Sequence, residues 1–359
     1  MTLPPRALLE QQGDSFGSHR AAEPAGALPQ PAQRLDNDFS RLFAGEMLVA
    51  VETLNIDAAS FRQMEEDAAA HGEDAFAGVA RRVVATVAAR GKQHNPVTGS
   101  GGMLLGRVLQ LAPGRDDASS VAVGDRVASL ISLSLTPLRV DRITAVRSAS
   151  AQLDIQGEAV LFASSPFAKL PPDMPERLAL AVLDVAGAAP QVARLVKPGG
   201  VVVVLGAGGK SGVLCVAEAR RRGGPQACIV GVESFGAYAA DLEALGLCDA
   251  VVQGDARDPL AVYAAISQAT GGRLADVTFS CVNVEGAEMS AILCTRDRGT
   301  AYFFAMSTSF TRAALGAEGV GKDVDLMIGN GYAHHHAEHS LAMMRELPAV
   351  RALFERRYG

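Results

Sequence analysis

The chain has 359 residues, 48% of them hydrophobic, with a formal net charge of −6 and five cysteines. That length favours two domains over one; the acidic balance, with no clustered basic face, argues against nucleic acid as a partner; and no run approaches the roughly eighteen apolar residues of a membrane span. Cys215, Cys228, Cys248, Cys281 and Cys294 form no C-x-x-C pair, so reduced, buried packing is their expected role.

Residues 1–45 are rich in Pro and Gly, show little periodicity, and are expected to form an extended arm. The segment Met1–Glu10 lacks the apolar core of a signal peptide, so a cytoplasmic protein is expected. Residues 46–177 alternate short apolar runs with Gly, Pro and Ser, as in Glu46-Met-Leu-Val-Ala-Val-Glu52, Gly106-Arg-Val-Leu-Gln-Leu111 and Gly124-Asp-Arg-Val-Ala-Ser-Leu130. That pattern predicts a β-rich domain, interrupted by one helical patch from Asp57 to about Arg90. Asp57 stands where an acidic residue commonly caps a helix.

From 178 to 332 strands and helices alternate, which predicts a parallel sheet with helices on both faces. Strands are expected near 201–205, 227–232, 249–252, 277–282, 301–305 and 324–328. The first runs directly into Gly206-Ala-Gly-Gly-Lys-Ser-Gly212 and then a helix over 213–222, the context in which a dinucleotide pyrophosphate binds. Gly206 permits the tight turn, Gly208 or Gly209 allows close backbone approach to phosphate, and Gly212 lets the helix pack on the strand. Lys210 and Ser211, between the glycines, are counted with them as cofactor-binding, and the N-terminus of the helix that follows has free N–H groups that attract an anion. Only three residues separate Gly206 from Lys210, so this is not the phosphate loop of nucleoside triphosphatases. Glu233 ends the second strand, where a carboxylate either binds the adenosine ribose hydroxyls or is simply solvated. With no Arg or Lys in residues 234–238, NAD is favoured over NADP.

Asp184 interrupts the apolar stretch 178–186 and needs a cationic partner, whether substrate, cofactor or a structural Arg. Asn283 and Ser307 fall at carboxyl ends of strands and either touch the cofactor or close turns. Residues 333–359 are expected to be helical. His334, His335, His336 and His339 lack the H-E-x-x-H pattern, which favours an exposed helix start over a metal site.

The order of Glu46-Met-Leu-Val-Ala-Val51, Gly106-Arg-Val108, Val123-Gly-Asp-Arg-Val127, Leu170-Pro-Pro-Asp-Met-Pro175, Lys197-Pro-Gly199 and the glycine loop resembles the medium-chain dehydrogenase/reductase superfamily. That resemblance implies an α/β protein with a β-rich GroES-like first domain, a Rossmann doubly wound parallel sheet, and a homo-oligomer. Where zinc-dependent members carry ligands, this chain holds Asp57 and Gly101-Gly-Met103, so no catalytic metal is expected. Within the superfamily, Ser18-His-Arg20, Leu54-Asn-Ile-Asp57, Arg90-Gly-Lys92, Asn95-Pro-Val-Thr-Gly-Ser-Gly-Gly-Met-Leu104, Ser132-Leu-Ser-Leu-Thr-Pro137, Ala314-Leu-Gly-Ala-Glu-Gly-Val-Gly-Lys-Asp323 and Ile328-Gly-Asn-Gly-Tyr332 resemble the L-erythro-3,5-diaminohexanoate dehydrogenases of lysine fermentation.

The implied reaction is NAD-dependent oxidative deamination of a diamino acid. Hydride leaves the C3 carbon only when the amine is neutral, so a base is needed, together with a cation and a carboxylate for the substrate's charged ends. Asp57 and Asp184 are candidates for the amine, with Asp57 alternatively a helix cap. Lys92 is the leading candidate for the substrate carboxylate, with a base role or a plain surface lysine as alternatives. Thr98 and Ser100 could add hydrogen bonds, and Lys322 lies in a loop that either closes over substrate or is a solvated charge. Two other functions fit the same fold: a zinc-free NAD(P)H enone or quinone reductase, and a nucleotide-binding module without catalysis.

Overall fold

Five consecutive apolar residues, Val201–Leu205, are all buried, as a parallel strand covered on both faces requires. Leu138–Arg147, by contrast, is fully buried at one position of ten, as an antiparallel edge strand allows. The two strands belong to separate compact units of the computed structural model, one ending at Pro171 and the other beginning at Pro172. The structure describes residues 8–10, 13–115, 120–305, 307–329 and 331–358.

The first unit opens with four short strands, β1 (Leu8–Glu10), β2 (Ala21–Glu23), β3 (Arg34–Leu35) and β4 (Arg41–Phe43); β1 pairs with β4 and β2 with β3. The stretch expected to be an aperiodic arm thus carries defined pairings, and it carries an anchor. Arg20 is 0% exposed, and its guanidinium donates to both carboxylate oxygens of Glu46 at 2.8 Å and to the carbonyls of Asp38 and Arg41. Burial alone would raise the Glu46 carboxyl; hydrogen bonds from Arg20 and His19 override it and hold it below its ordinary value.

Next come β5 (Met47–Asn55), then α1 (Ala58–Ala70) and α2 (Ala75–Arg90), then β6 (Met103–Leu111), β7 (Arg126–Ser129), β8 (Leu138–Arg147), β9 (Gln152–Leu161) and β10 (Phe167–Lys169). The six longer-range strands form an antiparallel sheet in the order β10-β7-β6-β5-β9-β8. The expected single helical patch is two helices, because Gly72 takes φ +71° and Asp74 caps a new start. Gly78, Val79, Val83 and Val87 give α2 a buried stripe, and its three valines join the sheet core with Leu104, Leu133 and Leu153. Gly91 ends α2 at φ +64°, and a Cβ there would stand 1.9 Å from the Leu35 carbonyl oxygen. Glycine alone lets the chain turn here into the polar loop that follows.

The second unit runs α3 (Glu176–Leu183), α4 (Ala188–Leu195), β11 (Val201–Leu205), α5 (Lys210–Gly223), β12 (Cys228–Glu233), α6 (Gly236–Leu245), β13 (Ala250–Gln253), α7 (Pro259–Ala269), β14 (Ala275–Ser280), α8 (Glu288–Cys294), β15 (Thr295–Phe303), α9 (Phe310–Gly319), β16 (Asp325–Ile328), α10 (His336–Glu346) and α11 (Pro348–Tyr358). Its six strands are all parallel, in the order β13-β12-β11-β14-β15-β16. Strand order reverses between β11 and β14, so this is a doubly wound Rossmann sheet, whose ligands bind at the carboxyl ends beside the reversal. β15 starts at Thr295 rather than near 301, since its first half, Thr295-Arg-Asp-Arg-Gly-Thr300, has no apolar run to announce it. The C-terminal helix expected over 333–359 breaks at Leu347, where the following Pro348 disfavours helical backbone. Among the described residues, no single helix is long and apolar enough to cross a membrane.

Candidate active site

In the second unit β11 delivers the glycine loop to the carboxyl edge of the sheet. Gly206 has φ +70°, and a Cβ on Gly212 would lie 2.1 Å from the Gly206 carbonyl oxygen. A Cβ on Gly208 would meet Tyr238 Cβ at 2.7 Å and Glu233 Oε2 at 2.8 Å, whereas one on Gly209 would meet nothing closer than 3.6 Å. The protein itself therefore requires glycine at 206, 208 and 212, while Gly209, the N-cap of α5, leaves its face open. The α5 N–H groups that start at Lys210 and Ser211 follow directly, and the cradle fits a dinucleotide pyrophosphate.

The side chains around this loop are tightly engaged. Glu233 is 5% exposed; its Oε2 accepts from Gly208 N at 2.9 Å and its Oε1 from Phe235 N at 3.1 Å. A carboxylate has lone pairs for further donors beyond these two. Lys210 Nζ lies 2.6 Å from Asp184 Oδ2 and 5.6 Å above the Tyr358 ring. Asp184, which caps the C-terminus of α3, thus finds its cation within the protein, and that cation is a lysine where an arginine was expected as the structural option. Ser307 Oγ donates to the carbonyls of Val282 and Val284 at 3.2 Å, closing the turn after β14, and Asn283 is exposed in that turn. Lys322 donates to the Thr295 carbonyl at 2.6 Å. That places it at the amino end of β15, lining a cavity of about 440 Å³ with Arg273, Asp276 and Arg296, on the edge of the sheet opposite the glycine loop.

The first unit holds a second polar cluster, built from the start of α1 and the loop 92–102. Asp57 does cap α1, its Oδ1 accepting from Ser60 N at 2.9 Å. Its other oxygen, Oδ2, is buried without a hydrogen-bond partner. Capping therefore engages one oxygen and leaves one. Lys92 is 0% exposed, and its Nζ donates to the Pro29 carbonyl at 2.8 Å. Burial, reinforced by the Arg90 charge, lowers its pKa to about 8. Lys92, the leading candidate for the substrate carboxylate, ties this loop to the segment between β2 and β3 through one of its three N–H donors, and its burial rules out the alternative of a plain surface lysine.

The rest of the loop is braced on α1. Asn95 Oδ1 accepts from Val97 N at 2.8 Å, and Nδ2 donates to Gln63 Oε1 at 3.0 Å. Thr98 Oγ1 makes a short hydrogen bond with Ser60 Oγ. Ser100 closes the loop through its backbone, its carbonyl accepting from Asn95 N at 2.9 Å and its N–H donating to Thr98 Oγ1 at 3.4 Å. Gly101 and Gly102 are wedged tightly: a Cβ on Gly101 would lie 2.4 Å from the Gln93 carbonyl oxygen, and one on Gly102 would lie 2.1 Å from that of Asn55. The glycine pair thus brings the end of β5, just before Asp57, close to Gln93.

Two residues here escaped the sequence reading. Gln93 is 1% exposed with Oε1 unpartnered, and His94 Nδ1 is likewise buried and unpartnered. Burial, then the charges of Lys92 and Arg90, lower the His94 pKa below its ordinary value, so the ring is neutral near pH 7. Their only sequence signal is position, between Lys92 and the Asn95–Leu104 string.

The histidine cluster near the C-terminus divides on folding: the rings of His334 and His335 stay in contact, their centroids 4.0 Å apart, while the other two find different surroundings. His335 caps α10 at φ +55°, His336 is buried where an exposed helix start was expected, and His339 Nε2 lies 3.3 Å from Glu218 Oε1. Among the described residues no group of three or more His, Cys, Asp or Glu is placed to hold a metal ion.

Residues 19–171 match the family described as L-erythro-3,5-diaminohexanoate dehydrogenase N-terminal domain. Over 347 residues the chain is 48% identical to the L-erythro-3,5-diaminohexanoate dehydrogenase of Acetoanaerobium sticklandii, covering 97% of this chain and 99% of that protein. Over 348 residues it is 47% identical to the protein of the same name from Fusobacterium nucleatum subsp. nucleatum, again 97% and 99%. Its fold is similar to that of the mycobacterial protein Rv1454c complexed with NADPH, at TM-score 0.53 and 17% identity over 87% of this chain and 89% of that one. The β-rich first unit is accordingly of the GroES-like kind, followed by the Rossmann unit.

Proposed function

The chain belongs to the L-erythro-3,5-diaminohexanoate dehydrogenase family, and from that premise we infer that it removes the 3-amino group of 3,5-diaminohexanoate oxidatively, giving 5-amino-3-oxohexanoate and ammonia. What supports the site assignment is three buried polar atoms without partners, Asp57 Oδ2, Gln93 Oε1 and His94 Nδ1, the last an acceptor in the tautomer protonated at Nε2. An unsatisfied buried acceptor costs about 1–3 kcal/mol. An alkylammonium group has three N–H donors to offer, so a cationic amine is the ligand chemistry that satisfies such a set.

Bound at the glycine loop, a nicotinamide dinucleotide supplies the hydride acceptor. Residues of the first unit handle the amine. His94, held neutral, takes the proton that must leave the ammonium before C3 can release hydride. Asp57 Oδ2 balances the positive charge of the resulting iminium, and Gln93 Oε1 accepts from its N–H and fixes its orientation. Water then adds to the iminium carbon, and the C–N bond breaks to release ammonia. Overall, one ammonium substrate, one water and one NAD+ give one ketone, one ammonium ion, one NADH and one proton.

NAD is the expected dinucleotide because the Glu233 carboxylate, buried at the end of β12, would repel a 2′-phosphate. In the same reading the protein is a cytoplasmic homo-oligomer; a monomer mass from light scattering removes that part. The main test is NADH formation at 340 nm with 3,5-diaminohexanoate and NAD at mildly alkaline pH, with ammonia measured in parallel. Stoichiometric NADH and ammonia are expected. A protein that ignores the diamine and instead reduces unsaturated ketones with NADH or NADPH refutes the proposal.

A further inference from the structure

The glycine loop is gripped by the far end of the chain. Arg357, near the end of α11, donates from Nη1 to the Gly208 carbonyl oxygen at 2.6 Å. The Gly208 N–H, in turn, donates to Glu233. Both polar groups of one loop glycine are therefore fixed by residues 25 and 149 positions away in sequence. Arg357 is itself immobilised: its guanidinium pairs with Asp241 of α6 and lies 3.9 Å from the centroid of the Tyr238 ring. Tyr238 is also the residue whose Cβ crowds Gly208. The next residue, Tyr358, presents its ring to the Lys210 ammonium at 5.6 Å, while Asp184 holds that ammonium from another side.

We propose that Arg357 and Tyr358 are positioning residues for the dinucleotide, holding the Gly208 peptide and the Lys210 side chain so that the first N–H groups of α5 stay aimed at the pyrophosphate. Fixing a backbone residue costs about 1–2 kcal/mol of conformational entropy. A loop of four glycines in seven residues is where that cost falls most heavily on ligand binding, and ordering it beforehand removes the cost from the binding step. A charge-assisted hydrogen bond to a carbonyl, reinforced by a cation–π contact, has the strength needed to do so. Asp241, which also pairs with Arg356, holds the Arg357 guanidinium against the loop carbonyl, and the preference against a 2′-phosphate is left to Glu233.

The inference rests on the dinucleotide reading of the loop but requires no turnover of the diamine. Its test is NADH binding to the full chain by fluorescence titration, with steady-state kinetics and thermal melts alongside, for wild type, Arg357→Met, Arg357→Lys and Tyr358→Leu. For Arg357→Met, the NADH Kd and the NAD KM are expected to rise about tenfold, with kcat at saturating NAD, the diamine KM and the melting temperature close to wild type. Arg357→Lys, which keeps one donor for the carbonyl, should recover part of the loss, and Tyr358→Leu should raise Kd about threefold. A Kd within twofold of wild type for Arg357→Met overturns the proposal, as does a fall of kcat and melting temperature together with a rise in the diamine KM, which marks a general structural loss. Should Arg357→Met fail to fold, an unchanged Kd for Tyr358→Leu overturns it instead. Wild-type protein that binds no NADH refutes the dinucleotide reading and this inference with it.

Discussion

The two polar loops solve opposite problems. Around Gly206–Gly212, the side chains Glu233, Lys210, Asp184 and Arg357 are all paired within the protein, so the loop is rigid before any ligand arrives and contributes mainly backbone N–H groups. Around residues 92–102 the scaffold is braced just as firmly by Asn95, Thr98 and Lys92. There, however, Asp57, Gln93 and His94 are each left one acceptor short of a partner. The first arrangement suits a ligand common to many enzymes and recognised by shape and negative charge. In the function proposed above, the second serves one particular functional group, and its unpartnered atoms carry a cost in folding stability.

Substitutions that remove the unpaired acceptors press hardest on this contrast. Asp57→Asn keeps a competent helix cap but loses the negative charge, so kcat/KM for the diamine is expected to fall about a hundredfold or more with little change in melting temperature; activity within threefold of wild type would take Asp57 out of the site. Gln93→Leu should lower kcat/KM about tenfold while raising the melting temperature, because an unsatisfied buried amide oxygen is exchanged for a methyl group. If activity and stability fell together, Gln93 would be a structural residue. In the other loop, Glu233→Ala should raise the NAD KM about tenfold and narrow the gap between NAD and NADP, leaving kcat nearly unchanged. An unaltered NAD KM would break the assignment of Glu233 to the ribose.

The subtlest expectation concerns Lys92, whose pKa is lowered from 10.5 to about 8 on folding. Below pH 8 both folded and unfolded chains carry the charge, and the folded one carries it against the preference of a buried site. Between pH 8 and 10.5 the unfolded chain binds more protons than the folded one, so the penalty fades as pH rises. Lys92→Met should accordingly melt higher than wild type at pH 7, and the gap should close toward pH 10.5. A gap independent of pH would mean that the ammonium is not what destabilises the site.

The Rossmann unit was the more legible of the two because buried parallel strands write themselves as unbroken apolar runs; Val201–Leu205 and its neighbours stand within a few residues of where hydrophobicity puts them. The polar first half of β15 is the exception, since no apolar run marks it. The acidic and glycine positions of the nucleotide loop were readable from spacing and Asp57 as a helix cap from its local sequence, whereas Asp57 as a candidate for the amine came from the family resemblance. What could not be read is pairing across distance. Lys92 finds Pro29, Thr98 finds Ser60, and Arg357 finds Gly208 at separations of 63, 38 and 149 residues, and nothing in the local sequence of either partner announces the other. Gln93 and His94 were missed for a related reason: what marks them is the absence of a partner, which only the folded chain reveals.

The Arg20–Glu46 pair, finally, governs how the protein tolerates trimming. Cleavage anywhere between Arg20 and Glu46 followed by loss of the leading fragment would strand the Glu46 carboxylate in the core, and breaking a buried pair in this way typically costs about 3–5 kcal/mol. Cleavage beyond Pro29 would also strip Lys92 of its carbonyl and release the loop that carries Gln93 and His94. A segment that reads as an extended arm is a keystone, so affinity tags belong ahead of it and truncated versions of this enzyme should be expected to precipitate.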